Sequence, residues 1–172
     1  MYTIGGSAGG GLAFQVANQI LRDSSLKSSL KGIVGMVPLT AHPDSVPEKY
    51  ASSYKSYHEN ADGAPVIDKE SMDIFMREAG IDANDKSAFV ILADDIHKEY
   101  PPTYFTNCEF DPLRDDTTVM MQALKEAGVE TKQDYYEGMP HYFWIFPPIP
   151  ESQSKSRLPL LSLFETLNWR LC

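Results

Sequence analysis

One short stretch of the sequence, Gly5-Gly6-Ser7-Ala8-Gly9, matches the pattern G-x-S-x-G. A β-prone run, Tyr2 to Ile4, precedes it and a segment with helical spacing follows it, so the stretch is predicted to turn a strand sharply into a helix. Glycines two residues before and two residues after the serine remove Cβ atoms that would crowd such a turn. The pattern therefore predicts a strained turn with the Ser7 hydroxyl exposed at its tip.

This glycine-rich turn has a chemical interpretation and two simpler ones. A serine at a strand-to-helix turn is typical of a nucleophile, and the Ala8 N–H at the helix N-terminus could donate to an oxyanion. A phosphate-binding loop is less well supported, because the sequence has no G-x-G-x-x-G register here and no lysine follows as in a P-loop. A plain flexible turn remains the alternative for this motif taken alone.

Outward from the turn, the chain alternates between strand-like and helix-like segments. Leu12, Val16 and Ile20 lie on one face of the first predicted helix, with Ala13, Ala17 and Leu21 beside them, and the helix ends near residue 23. Further strands are predicted at 33–39, 103–107 and 130–136, and further helices at 68–80, from Asp115 or Asp116 to Gly128, and at 159–171. The alternation predicts an α/β fold, with a mostly parallel sheet flanked by helices.

Two segments lack this regular pattern. Residues 40–66 are polar and contain several prolines, and we interpret them as irregular or loosely helical. Residues 147–157 are rich in Pro, Ser and Gln and are predicted to form a loop. Neither segment resembles a low-complexity linker between domains, so the chain is predicted to be one domain.

The composition is that of a globular domain. The chain has 172 residues, of which 42% are hydrophobic and 23% charged. Its net charge of −9 disfavours nucleic acid as a partner. It has no apolar run of about 18 residues, so we expect no membrane span. It also has no visible signal peptide, so we expect a cytoplasmic location.

The cysteines and histidines do not suggest a disulfide framework or a metal centre. Cys108 and Cys172 are too few for such a framework. The sequence contains no Cys/His cluster with the spacing of metal ligands. We therefore expect neither a metal nor a cofactor, and we make no prediction for the oligomeric state.

A serine nucleophile needs a base, and His141 is the best candidate. It follows the last predicted strand inside a Gly-Met-Pro-His turn, and functional loops commonly lie at the C-terminal ends of parallel strands. Taken alone, His141 is better interpreted as a half-buried structural histidine in an aromatic patch. The other three histidines, His42, His58 and His97, lie in polar stretches and are predicted to be solvated.

The base needs an acid to orient it, and Asp111 is the best candidate. It follows the strand predicted at 103–107, although an aspartate there is also common as a turn residue. Glu109, Asp115 and Asp116 are rivals, but the last two are predicted to cap the following helix. Serine, aspartate and histidine thus each follow a predicted strand, in the chain order expected of an α/β-hydrolase.

Several motifs together resemble the hormone-sensitive-lipase-like branch of the α/β-hydrolases, with fungal arylesterases and acetyl-esterases as its most similar members. They are GGSAGG at 5–10, PPTYFTN at 101–107, DPLRD at 111–115 and GMPHYF at 138–143. The resemblance spans most of residues 1–146. It implies that Ser7 is the nucleophile, Asp111 the orienting acid and His141 the base. The aspartate that usually precedes the serine is replaced by Gly6.

The resemblance also implies an organisation for the chain. We expect one α/β-hydrolase domain over residues 1–172, with residues 40–98 as a cap-side insertion. The family carries a His-Gly-Gly oxyanion loop and several strands upstream of the serine, and this chain has neither. We therefore interpret the chain as the C-terminal half of the fold, truncated at its N-terminus, with the serine-bearing strand at a sheet edge and the Ala8 N–H as the remaining oxyanion donor.

The resulting hypothesis is a serine ester hydrolase that acts on short acyl or aryl esters, with a small-molecule ester as its substrate. Met139, Tyr142, Phe143 and Trp144 could line the substrate pocket, and packing in the core is an equally good interpretation of that aromatic run. One alternative is a non-catalytic remnant that lacks the upstream oxyanion loop. A second alternative is a dehydratase-like lyase on the same scaffold.

Overall fold

The computed structural model describes residues 1–146 of the 172-residue chain. It contains four strands and five α-helices: β1 (Tyr2–Gly6), α1 (Ala8–Arg22), β2 (Gly32–Met36), α2 (Glu48–Ala51), α3 (Ser56–Glu59), α4 (Lys69–Ala79), β3 (Thr103–Phe110), α5 (Arg114–Glu126) and β4 (Thr131–Pro140). Short 3-10 helices lie at Lys27–Ser29, Pro43–Ser45, Val90–Leu92, His97–Glu99 and Phe143–Ile145. The loop predicted at 147–157 and the helix predicted at 159–171 lie outside the described residues.

The four strands form one parallel sheet in the order β1-β2-β3-β4. The α/β prediction of a parallel sheet flanked by helices is therefore confirmed. Helix α1 packs against β1 and β2, and helix α5 packs against β3 and β4. The first strand and the last strand lie at opposite edges of these four strands.

The main core lies between the sheet and the helices. Phe14 of α1 is fully buried and stacks on Phe105 of β3, with ring centroids 5.5 Å apart. A Cβ at Gly35 would collide with the Phe14 ring, so β2 carries a glycine where this ring crosses it. The buried side of α1 includes Ala13, Phe14, Ala17 and Leu21. Leu12 and Val16, on the face marked by the sequence periodicity, are at least half exposed.

The helix ends agree with the sequence in one case and differ in another. Asp68 caps α4 in a capping box with Ser71, and Gly80 ends this helix in the left-handed conformation, as predicted. The next helix, α5, begins at Arg114 with Leu113 as its N-cap. Asp115 and Asp116 therefore lie inside its first turn and do not cap it, because both carboxylates bind the backbone of neighbouring loops.

Within residues 1–146, no helix is both long enough and apolar enough to cross a bilayer.

Candidate active site

The Ser7 turn joins β1 directly to α1. Ser7 has φ 57° and ψ −129°, a conformation that is strained for a residue with a side chain. Its backbone N–H donates to the carbonyl of Met36 at 2.8 Å, and its own carbonyl accepts the N–H of Gly10 at 2.9 Å. Backbone hydrogen bonds on both sides thus hold the serine in its strained position at the end of the strand.

The two glycines of the G-x-S-x-G turn differ in whether the structure leaves room for a side chain. A Cβ at Gly5 would collide with the backbone carbonyl of Gly9, so a side chain cannot fit where the helix folds back on the strand. A Cβ at Gly9 would meet nothing within 4 Å. The crowding predicted for both glycines is therefore found at the first. The helix also begins at Ala8, four residues earlier than the periodicity indicates, because its glycine-rich first turn carries no apolar pattern.

The structure brings Ser7, His141 and Asp111 into one hydrogen-bonded row. His141 Nε2 lies 2.8 Å from Ser7 Oγ, and His141 Nδ1 lies 2.8 Å from Asp111 Oδ2. His141 is 3% exposed and Asp111 is fully buried. When Nδ1 carries the ring proton, it donates to the carboxylate, and Nε2 is free to accept the serine proton.

The backbone around Asp111 fixes the direction of its carboxylate. Its Oδ1 accepts the N–H of Leu113 at 2.8 Å, which leaves Oδ2 for the histidine. The side-chain amide of Asn60 donates to the Asp111 carbonyl at 3.2 Å. The rival carboxylate of Glu109 instead accepts the N–H of Gly138 at 2.6 Å, in the strand that leads to the histidine loop.

The other three histidines lie in three different environments. His58 is exposed, as predicted. His42 is partly buried, and its Nδ1 accepts the N–H of Asp44. For His97 the prediction of a solvated side chain is wrong, because its ring is 3% exposed and its Nε2 lies 2.9 Å from the Val90 carbonyl. Burial lowers the pKa of His97.

Ala8, the predicted oxyanion donor, is the first residue of α1. The first N–H groups of a helix have no acceptor within the helix, and they carry the positive end of its dipole. The Ala8 N–H therefore lies beside the serine in an electrostatic setting that suits a developing negative charge.

The residues predicted to line a pocket lie on both sides of His141 and are all partly buried. Tyr142 and Trp144 have ring centroids 4.8 Å apart, and Phe143 and Trp144 are 5.1 Å apart. Phe143 also contacts Tyr136 of β4. Met139 lies in the same strand, two residues before the histidine. These rings pack on one another and on β4 while part of their surface stays accessible.

Asp116, predicted from the sequence as a helix cap, has a different role in the structure. It is fully buried in the first turn of α5, where its Oδ2 accepts the N–H groups of Thr40 and Ala41 at 2.9 and 3.0 Å. The Tyr54 hydroxyl donates to Oδ1 at 2.9 Å. One carboxylate thus ties the loop after β2 and the segment around Tyr54 to α5. Two consecutive aspartates at a helix start were the available signal.

The charge of this buried carboxylate makes the stability depend on pH. Burial is the main cause that raises the pKa of Asp116, to about 7, and the nearby Asp111 charge adds to the effect. The folded chain therefore keeps a proton on Asp116 at pH values where the unfolded chain has released it. The free energy of unfolding is expected to fall as the pH rises from about 4 to about 7.

Asp116→Asn is expected to remove this part of the pH dependence, since an amide does not titrate. The measurement is the free energy of unfolding in urea at pH 5 and pH 8, for the parent chain and the variant. The parent should lose more stability than the variant between the two pH values. Equal losses in both proteins would contradict a raised pKa at Asp116.

Among the described residues, no group of three His, Cys, Asp or Glu side chains is arranged to hold a metal ion.

Comparison with known proteins places these residues in a family context. The family model described as alpha/beta hydrolase fold matches residues 1–145. Versiconal hemiacetal acetate esterase of Dothistroma septosporum is 55% identical over 170 residues, which are 99% of this chain and 51% of that protein. The protein of the same name from Aspergillus parasiticus is 34% identical, over 84% of this chain and 45% of that protein. The chain thus spans about half the length of the curated relatives it matches.

The chain is also similar to solved structures, and again it covers about half of each of them. The crystal structure of vibralactone cyclase has a TM-score of 0.86 and 33% identity, over 98% of this chain and 48% of that chain. A fungal esterase structure from Rhizomucor miehei has a TM-score of 0.77 and 25% identity, over 96% of this chain and 50% of that chain.

Proposed function

Since the chain belongs to the alpha/beta hydrolase family, whose model matches residues 1–145, we propose that it hydrolyses small carboxylic esters with Ser7 as nucleophile, His141 as base and Asp111 as orienting acid. The observation that carries this proposal is the continuous row of hydrogen bonds from the Ser7 hydroxyl through the imidazole to a fully buried carboxylate. Relatives that are named esterases agree with this chemistry.

The first half of the reaction forms an acyl-enzyme. Ser7 Oγ attacks the ester carbonyl carbon while His141 Nε2 takes the hydroxyl proton. The tetrahedral intermediate then breaks its bond to the alcohol oxygen, which leaves with the proton from His141. Asp111 stabilises the imidazolium and keeps Nδ1 directed toward itself, so that Nε2 always faces the serine.

The second half repeats these steps with water. His141 takes a proton from a water molecule that attacks the acyl carbon, and the Ser7 oxygen leaves with that proton. The products are a carboxylic acid and an alcohol. The Ala8 N–H donates to the carbonyl oxygen when it becomes negative, and one such donor is typically worth about 10²–10³-fold in rate.

The substrate class follows from the surroundings of the row. We propose that Met139, Tyr142, Phe143 and Trp144 form an apolar wall beside the acyl carbon, because they flank His141 and retain accessible surface. Flat apolar walls of this kind suit short acyl groups and aryl alcohols. The name of the most identical relative mentioned above refers to an acetate ester, which agrees with a short acyl group.

We also propose that residues 1–172 belong to one domain, in which residues 40–98 form the cap side. The hydrogen bonds of this segment support the idea. Residues 54–60 donate hydrogen bonds to the Asp115 carboxylate and to the Asp111 carbonyl. The segment therefore lies against the turn that presents the orienting acid.

The experiment is product analysis with p-nitrophenyl acetate and phenyl acetate. The chain is expected to release acetate and the matching phenol in equal amounts, with saturation kinetics. An elimination product would favour the dehydratase-like lyase. No turnover together with no labelling of Ser7 by a fluorophosphonate probe would show a non-catalytic protein and would refute the proposal.

A further inference from the structure

The row of hydrogen bonds joins two opposite edges of the described sheet. Ser7 follows β1, whereas His141 follows β4, and two strands lie between them. Neighbouring strands are about 4.8 Å apart, so the histidine loop must cross roughly 14 Å over the strand ends to reach the serine. Hydrogen bonds to Asp111 and Ser7 restrain the His141 ring, and a contact between the loop and β1 would restrain the loop backbone that carries this ring.

Gly6 and Tyr142 make a second contact across the same gap. A Cβ built on Gly6 would collide with the Cε2, Cζ and Oη atoms of Tyr142. The tyrosine ring therefore fills the space that a side chain at position 6 would occupy. Gly6 directly precedes the serine, and Tyr142 directly follows the histidine, so the contact joins the two elements next to the reacting groups.

The need for glycine at position 6 comes from space and not from backbone conformation. The glycines with positive φ in the described residues are Gly63, Gly80, Gly128 and Gly138. Gly6 is not one of them, and any residue could adopt its strand conformation. The absence of a side chain at Gly6 thus leaves the space that the Tyr142 ring occupies.

Tyr142 itself is held in an uncommon conformation. Its φ is 55°, in the left-handed region that bulky residues rarely adopt. Its ring lies 5.9 Å from the His141 ring and 4.8 Å from the Trp144 ring, measured between centroids. Tyr142 keeps this strained backbone conformation while its ring lies against Gly6 of β1.

We infer that Tyr142, seated on the bare Cα of Gly6, is a positioning residue that holds His141 in line with Ser7. The inference rests on the proposed function for the roles of those two residues. It assigns Gly6 and Tyr142 as one matched pair, in which the glycine provides the space and the ring fixes the loop.

The test compares Gly6→Ala, Tyr142→Ala and the double variant with the parent chain. Each single change is expected to lower kcat for p-nitrophenyl acetate by about 10- to 100-fold, the cost of a small misplacement. For Gly6→Ala, KM should change much less, because all four residues of the proposed substrate wall are retained. The double variant should equal Tyr142→Ala, since the added methyl group then meets no ring. Tyr142→Phe, which keeps the ring, should recover most of the loss.

A second measurement is independent of turnover. The proton on His141 Nδ1, hydrogen-bonded to Asp111, gives a downfield NMR resonance that should broaden or vanish in both single variants and persist in Phe75→Ala, a control at an exposed ring. If the parent neither hydrolyses esters nor is labelled, the proposed function fails, and the resonance still tests the pair. Additive losses in the double variant, or an unchanged resonance and unchanged kcat in the single variants, would overturn the inference.

Discussion

Ser7→Ala is expected to lower kcat for ester hydrolysis by about 10⁶-fold, because the acyl-enzyme cannot form. The variant should fold as the parent does, since alanine removes only the hydroxyl and leaves the backbone hydrogen bonds of the turn in place. Rates with p-nitrophenyl acetate and labelling by a fluorophosphonate probe measure the two consequences. Both turnover and labelling should disappear together.

Ser24→Ala is the matched control for this experiment. Ser24 is exposed and lies just after α1, far along the chain from the proposed base. It should retain both turnover and labelling. If Ser7→Ala keeps a substantial fraction of the parent rate, another residue is the nucleophile and the proposed mechanism is wrong.

Asp111→Asn is expected to lower kcat by about 10⁴-fold while KM changes little. An amide at this position can donate a hydrogen bond to His141 Nδ1, which moves the ring proton to Nε2. The imidazole then presents a donor to Ser7 and can no longer accept the serine proton. Unfolding should not account for this loss of kcat. Thermal unfolding of the same protein samples would show that the variant is still folded at the assay temperature.

Glu109→Gln separates the orienting acid from its nearest rival in the sequence. Glu109 binds the N–H of Gly138 and makes no described hydrogen bond to the histidine. Its replacement is expected to change kcat by less than about tenfold, because the glutamine oxygen can still accept that N–H. A larger loss for Glu109→Gln than for Asp111→Asn would reverse the assignment.

The sequence predicts the architecture well where the signals are local. The strand, the glycine-rich turn and the helix around Ser7 follow from a pattern of a few residues. The cap at Asp68 and the stop at Gly80 follow from side-chain and backbone preferences alone. The position of Asp111 and His141 after parallel strands is enough to bring both to one end of the sheet.

The features that the sequence did not predict depend on contacts between distant segments. His97 is buried by its tertiary neighbours, although it lies in a polar stretch. Asp116 resembles a helix cap in the sequence but accepts backbone N–H groups from a loop 75 residues away. The exposed stripe on α1 likewise shows that periodicity identifies an apolar face without telling which residues meet the sheet.

Ser7 follows β1 and His141 follows β4, at opposite edges of the described sheet, and this also governs when the site can form. The two residues are 134 positions apart in the chain. At a synthesis rate of about 5–20 residues per second, the histidine emerges roughly 7 to 27 s after the serine. Under the proposed mechanism, a growing chain that contains Ser7 but not yet His141 lacks its base, and a chain terminated at that stage is expected to be inactive. Appearance of Ser7 reactivity would thus report that synthesis has passed the fourth strand.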